Sequence, residues 1–470
     1  MKFKRNPIQI CLLMACLALA PIAKAERVFQ TLCTFFPTNS GPIFPLSRLL
    51  EGPDGSFYGT TISGGAYGWG AIFKMSPLGV LTNLYSFTAN TNCYPYGGLT
   101  WGNDGKLYGT TAARTPNDRV FAITTNGDLT IIATFNGANG NYPLAPLTLG
   151  NDGVFYGTTR DGGTYSMGNF FKVTTNGTLT SLFSFHGTNG SAPAFGALIQ
   201  AEDGNLYGTT TYGGYGGSVI NYYPPGNGTI FRIDTNGNLT TLVYFNGTNG
   251  SWPQNGLSLG MDKNFYGTTL LGGTSNRGTV FKMTSDGTLT TLYSFDGING
   301  NWPDTLLAQD SDGFLYGTTT ATNAIYTYGT VFKITTNGAL STLIHFDGIN
   351  AMTPATRLIT GTDGNIYGTT CDQNRQLTLD GGAGSVFQLY APPKPPGYNQ
   401  ITGQLLGSGD LQFSFVGNAG AKYALEYATI LSPANWLPQA TNPADSGGVL
   451  VFTNTPDNTT NNFWRIRSVP

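Results

Sequence analysis

The sequence predicts an all-β protein: a seven-bladed β-propeller whose N-terminal strand completes the last blade, followed by a small C-terminal β-sandwich. Three observations predict it. A Tyr-Gly-Thr-Thr core begins at Tyr58, Tyr108, Tyr156, Tyr207, Tyr266, Tyr316 and Tyr367, so one block recurs seven times at spacings of 48 to 59 residues. Each copy holds four short runs rich in Thr, Val, Phe, Tyr and Leu, separated by Asp-Gly or Asn-Gly, the pattern of strands joined by tight turns. Beyond the N-terminal segment no stretch keeps a helical period for more than two turns. Repeats of one period decide architecture before local propensity does. Four strands in each of seven units match a propeller, in which radial stacking shields the sheet edges; the coils of a β-solenoid are shorter than this period.

Residues 1–25 are expected to be a secretory signal. Lys2, Lys4 and Arg5 precede an apolar run from Ile8 to Ala20, and Ala23-Lys24-Ala25 has the form of a cleavage site. Leu13-Met14-Ala15-Cys16 offers a competing lipobox, in which Met14 fits poorly. The apolar run is shorter than the roughly 20 residues of a spanning helix, and no later segment is longer. An extracytoplasmic, secreted or cell-surface protein without a transmembrane segment in its mature chain is therefore expected.

The propeller is expected over residues 26–390. Its N-terminal stretch, Val28-Phe29-Gln30-Thr31-Leu32-Cys33-Thr34-Phe35, matches the fourth strand of a repeat, while the seventh copy stops at its third, Ser385-Val386-Phe387-Gln388-Leu389. The N-terminal strand thus closes the ring. Within a copy, Asp312-Gly313 opens the hairpin into the Tyr-Gly-Thr-Thr strand. A third strand follows, as in Thr279-Val280-Phe281-Lys282-Met283, then a fourth, as in Leu289-Thr290-Thr291-Leu292-Tyr293-Ser294-Phe295. Asn299-Gly300-Asn301-Trp302-Pro303 leads into the next blade. After the repeats, residues 391–397 form a stiff proline-rich linker. Residues 398–470 lack the repeat and alternate as strands, enough for a small sandwich.

Composition narrows the function classes. Charged residues make up 10% of the 470 and the net charge is −2, so there is no basic footprint for a nucleic acid. Of five cysteines, Cys33, Cys93 and Cys371 follow the signal; an odd, sparse set has neither disulfide-framework nor metal-ligand spacing, and free thiols are expected over a pair. No metal, cofactor or self-association signal is present, and a monomer is expected.

The pattern Asp-Gly-x-x-Tyr-Gly-Thr-Thr … Val-Phe-Lys … Leu-Thr-Thr-Leu resembles the Gloeobacter–Verrucomicrobia ("GloVer") tandem-repeat family of exported bacterial proteins, over about residues 28–390. The resemblance implies an extracytoplasmic location and a variable C-terminal module that often serves sorting or anchoring. It implies no known activity. The chain departs from members that end in an apolar helix and a basic cluster; Phe463-Trp464-Arg465-Ile466-Arg467 instead resembles the end of β-sandwich modules of secreted verrucomicrobial proteins.

Most candidate chemistry reads more simply as architecture. Asp54, Asp104, Asp152, Asp203, Asp262, Asp312 and Asp363 recur in every copy, as turn residues do and a single catalytic carboxylate does not. Tyr-Gly-Thr-Thr suits a packed strand whose Gly permits close approach. Gly64-Gly65-Ala66-Tyr67-Gly68-Trp69-Gly70 has no Lys-Ser/Thr after it and opens no helix, so the phosphate-loop pattern is not met. Asn176, Asn227 and Asn246 match glycosylation sequons but read as hairpin turns. His186 and His345 fall on fourth strands of different blades and read as buried or rim residues. Loop Asp161, Asp304, Asp372 and Asp380 show no pairwise spacing, and no catalytic residue is assigned.

Aromatics stand out. Phe44, Tyr94, Tyr142, Trp252 and Trp302 precede the repeat proline in five copies, with Ala192 and Thr353 in the others. The insertion behind the 59-residue spacing adds Tyr212, Tyr215, Tyr222 and Tyr223. Both groups belong to the face of variable loops near the central channel, where a rigid scaffold carries its binding surface. These nine are the expected ligand-binding residues, stacking on sugar rings or anchoring a protein; the competing reading makes them staples between blades. The expected function is a non-catalytic binding or adhesion scaffold for a polysaccharide or cell-surface protein. Two alternatives remain: an extracellular carbohydrate-active lyase or hydrolase using loop Asp residues at the channel mouth, and a purely structural surface component.

Overall fold

Each repeat becomes one four-stranded antiparallel sheet. In the fifth, Ser258–Leu259, Phe265–Thr269, Thr279–Met283 and Leu289–Ser294 pair in sequence order. The protein is described here from a computed structural model. It covers residues 27–36, 41–89, 94–113, 118–193, 195–214, 226–320, 328–346, 354, 357–371 and 383–390, with six strands between 401 and 469. Among these there is no α-helix, and seven such sheets form the blades of a β-propeller.

Burial follows from position in the blade. The Tyr-Gly-Thr-Thr strand is buried along its length, the third strand is buried except at its Lys or Arg, and the fourth is the outer, half-exposed strand. The middle strands are packed on both faces by neighbouring blades, so they read as continuous runs rather than strict alternation. The core therefore lies in the seams. Tyr207 of blade four stacks on Phe265 of blade five with ring centroids 4.3 Å apart, inside a cluster that includes Phe245 and Phe281. Gly267 is required there, because a Cβ would lie 2.5 Å from Cζ of Phe281 on the adjacent strand. A bulge at Val280/Phe281 interrupts the register of the third and fourth strands and recurs in blades one to six, adding twist to each sheet. The innermost strands are only two or three residues long, shorter than the sequence runs suggest.

The ring closes as the repeat count requires. Val28–Thr34 lies beside Ser385–Tyr390 as the outer strand of blade seven. Phe35 is buried, and its N–H donates to the Gly384 carbonyl at 2.8 Å. Phe29 packs on Phe387 and edge-on to Phe346.

Phe29–Tyr390 is one compact unit; Ala391–Pro470 belongs to another. The second unit contains two three-stranded sheets. One pairs Ile401–Leu405, Leu411–Val416 and Val449–Asn454; the other pairs Leu437–Pro443, Lys422–Ala428 and Phe463–Val469. Among the described residues no helix is long and apolar enough to cross a membrane. The expected signal at 1–25 and linker at 391–397 lie outside the described residues.

Candidate binding site

The recurring Asp and Tyr are joined across the hairpin. In all seven blades the tyrosine hydroxyl donates to the aspartate four residues earlier, from 2.6 Å at Tyr367–Asp363 to 3.2 Å at Tyr58–Asp54. The other carboxylate oxygen accepts the backbone N–H two residues on, as at Asn264. The turn glycine has positive φ, and Lys263 adopts the same conformation, φ 62°, in blade five. Seven equivalent carboxylates are thus spent on seven turns. Burial and the Asp104 carboxylate together push the Tyr108 hydroxyl well above the usual phenol range.

On the opposite face, the residue before the repeat proline takes a left-handed conformation that bulky side chains avoid at the six described positions; Thr353, in the seventh copy, lies outside the described residues. Phe44, Tyr94, Tyr142, Ala192, Trp252 and Trp302 all have φ between 52° and 66°. Two hydrogen bonds impose it. Trp302 N–H donates to the Arg277 carbonyl in the loop of blade five, and its own carbonyl accepts from Thr320 N–H in blade six, at 2.9 and 3.1 Å. Ala192 is held in the same way, so the backbone clamp is independent of the aromatic ring.

The rings divide by exposure. Phe44 and Tyr142 are buried in clusters with Ile62, Cys371 and Ala383, and with Ala112 and Leu144. Tyr94, Trp252, Trp302 and Tyr212 are half-buried, and Tyr212 meets Trp252 edge-on at 5.5 Å. Tyr215, Tyr222 and Tyr223 lie outside the described residues. Tyr67, Trp69 and Tyr165, in loops between second and third strands, are exposed. Trp69, Tyr94, Tyr96 and Tyr142 form a continuous track, with successive centroids 5.7, 6.4 and 6.2 Å apart.

Tyr96 delivers that track to a cavity of about 300 Å³ whose walls come from all seven blade entries. The segment after each repeat proline supplies them, including Arg48, Phe195, Gln254, Asn255, Asp304 and Arg357. Arg357 is 7% exposed and reaches across the axis, where Nη2 donates to the carbonyls of Phe195 and Asn255. Its Nη1 has no partner among the described residues, and neither does Nε of Arg48. Burial, then the neighbouring Arg48 charge, push Arg357 down to about 9, against the pull of Asp304, which leaves it cationic at neutral pH. Burial lowers Arg48 as well. Asp304, the one carboxylate among these lining residues, accepts from the Gln254 and Asn255 amides.

Blade two is built differently. Asp118 is buried, and its carboxylate accepts the N–H groups of Ala113 and Tyr142, both at 2.7 Å, taking the place of the loop carbonyl used by other blades. Burial pushes it up to about 6, against those two hydrogen bonds. His186 and His345 are exposed, on or just beyond fourth strands. Asp161 forms backbone bridges with Asn141, and Asp372 and Asp380 lie outside the described residues. Neither Cys33 nor Cys371 forms a disulfide among the described residues, and burial raises Cys33 to about 11; Cys93 is not described.

Sequence reasoning assigned no role to the two arginines that line this cavity. The signal was available: Arg48 and Arg357 each stand three residues after the repeat proline, in the two blades that meet at ring closure, where the other copies carry Gly, Pro or Leu.

A model of the Gloeobacter/Verrucomicrobia repeat matches residues 20–151, 114–224 and 147–387. No curated protein matches the chain. Similar solved structures include a gluconolactonase from Xanthomonas campestris, 14% identical, covering 63% of this chain and 86% of that one at a TM-score of 0.38. A candidate oxidoreductase (glucose dehydrogenase) from Thermus thermophilus is 14% identical over 77% and 100%, at 0.39. A Bacteroides thetaiotaomicron protein of unknown function is 14% identical over 78% and 94%, at 0.39. None of the three lends its activity to this chain.

Proposed function

The chain belongs to the Gloeobacter/Verrucomicrobia repeat family, and we propose that it works outside the cytoplasm as a non-catalytic scaffold that recognises a glycan through the loop-rich face of its propeller. The aromatic track from exposed Trp69 through Tyr94 to Tyr96 at the cavity carries this reading. Aromatic faces bind the apolar faces of sugar rings, while amides such as those of Gln254 and Asn255 suit their hydroxyls. A recessed cavity of about 300 Å³ fits a sugar better than the broad, largely flat patch of a protein partner. Tyr94, Trp252 and Trp302 contribute the exposed portions of their rings; Phe44 and Tyr142 hold the seams behind them.

The remaining domain assignment is part of the same proposal. Residues 1–25 direct export and are removed near Ala25. The two C-terminal sheets form a small sandwich around Phe413 and Phe452 from one layer and Ala424 and Leu425 from the other, all buried.

A glycan array probed with the mature chain tests the function, beside Trp69→Ala/Tyr94→Ala and Trp252→Ala/Trp302→Ala variants of unchanged melting temperature. Binding by the wild type that the first variant loses supports the track. A wild-type chain that binds no glycan overturns the reading.

A further inference from the structure

The propeller axis contains an electrostatic imbalance. Two cations, Arg48 and Arg357, line one cavity with a single carboxylate, Asp304, which is already engaged by two side-chain amides. Arg357 is more than nine-tenths buried, and among the described residues its Nη1 is unpartnered, as is Nε of Arg48. Leaving buried guanidinium donors unsatisfied is costly, and a low-dielectric site strengthens whatever anion satisfies them. These nitrogens are not needed for packing of the repeat, because the other five blades place Gly, Pro or Leu at the same position.

We infer that this channel binds the carboxylate of a sugar acid, a hexuronic acid unit of an acidic glycan, between Arg48 and Arg357. The inference rests on the glycan-binding reading above and specifies its ligand class. Guanidinium groups match the planar carboxylate with paired donors. Asp304 and the Asn255 and Gln254 amides stand in the same cavity to meet ring hydroxyls, and Tyr96 and Phe195 offer apolar surface for the ring. A phosphate dianion satisfies the arginines too, but it brings a second negative charge toward Asp304 and leaves the aromatic wall without a partner. About 300 Å³ admits one sugar unit rather than a chain, so the end of an oligosaccharide enters while the aromatic track supports the units outside.

Titration calorimetry on the full mature protein separates the possibilities, using trigalacturonate, its methyl ester and inorganic phosphate. The expected result is binding of the acid, at least about tenfold weaker binding of the ester, and loss of that difference in Arg48→Gln. The acid, and not the ester, is also expected to raise the wild-type melting temperature. Arg357→Lys, which keeps the charge and loses the fork, is the second variant should Arg48→Gln fail to fold; it too is expected to bind the acid at least about tenfold less tightly. Equal binding of acid and ester, or undiminished binding by a folded variant, overturns the inference and leaves glycan recognition standing. Tighter binding of phosphate than of the acid overturns the sugar-acid assignment. Absence of binding by either sugar overturns it as well, and the array then decides whether glycan recognition falls with it.

Discussion

Gly384 leaves the space that the ring of Pro45 fills: a Cβ at Gly384 would stand 2.8 Å from the proline Cδ and 2.5 Å from the Thr370 carbonyl oxygen. The two residues belong to the last and first blades, so this contact seals the ring. The same fit recurs between Gly70 and Pro95, Gly168 and Pro193, Gly228 and Pro253, and Gly329 and Pro354. Gly384 also has φ +119°, a conformation that L side chains rarely adopt. Gly384→Ala is expected to lower stability by about 2 kcal/mol or more, from overpacking and backbone strain together. Denaturant melts read it directly; Gly204→Ala, whose added Cβ meets nothing within 4 Å, is the control that carries the strain without the clash.

Closure by the N-terminal strand makes a second prediction. Removing residues 26–36 takes away the outer strand of blade seven together with buried Phe35. The whole ring is expected to lose stability, with one cooperative transition shifted downward rather than a trimmed tail and an unchanged melt. Phe35→Ala alone is expected to cost about 3–5 kcal/mol, since it empties a site bounded by Phe73, Met75 and Val386. Circular dichroism melts of both forms check this.

The hairpin staples respond to acid. Lys74 hydrogen-bonds Asp54 and holds it down to about 2. Against the opposing effect of burial, Lys282, Asn264 and Tyr266 hold Asp262 below the usual carboxylate range. A folded-state value below the unfolded one means stability that is present above about pH 4 and lost as the pH falls toward 2. Tyr266→Phe is expected to cost about 1 kcal/mol at pH 7 by removing the hydroxyl donor. That cost should shrink below pH 3, and urea melts at both pH values measure it.

Asp118 works with the opposite sign. Its folded-state value, about 6, lies above the unfolded one, so its favourable contribution is complete below about pH 4 and is lost as the pH rises through 6. The effect is on the order of 3 kcal/mol. Asn in its place cannot ionise and keeps one acceptor for the two N–H groups of Ala113 and Tyr142. Asp118→Asn is therefore expected to be less stable than the wild type at pH 4, with the gap narrowing by pH 8. A difference independent of pH would contradict the assignment.

The blade count, the Asp-Gly turns and the closing strand were legible because each is local and repeated: seven Tyr-Gly-Thr-Thr cores report seven sheets, and Val28–Phe35 carries a fourth-strand pattern with no third strand before it. The Asp262–Tyr266 bond was half visible. The spacing was plain, but the tyrosine was read as packing alone, since only the folded hairpin turns its hydroxyl back onto the carboxylate. Exposure was not legible at all. Phe44 and Trp252 occupy the same repeat position with the same backbone, yet one ring is buried and the other half-exposed because the loops beside them differ.

By itself, then, the sequence determined the architecture, through a period that local turns and strand patterns enforce in every copy. The tertiary structure alone decided what the axis contains. Arg357 meets the carbonyls of Phe195 and Asn255, 162 and 102 residues earlier, because ring closure points seven separate blade entries at one axis. No pattern along the chain encodes that convergence: it arises when the blades pack side by side, and it draws two cations into a space that neither repeat would form alone.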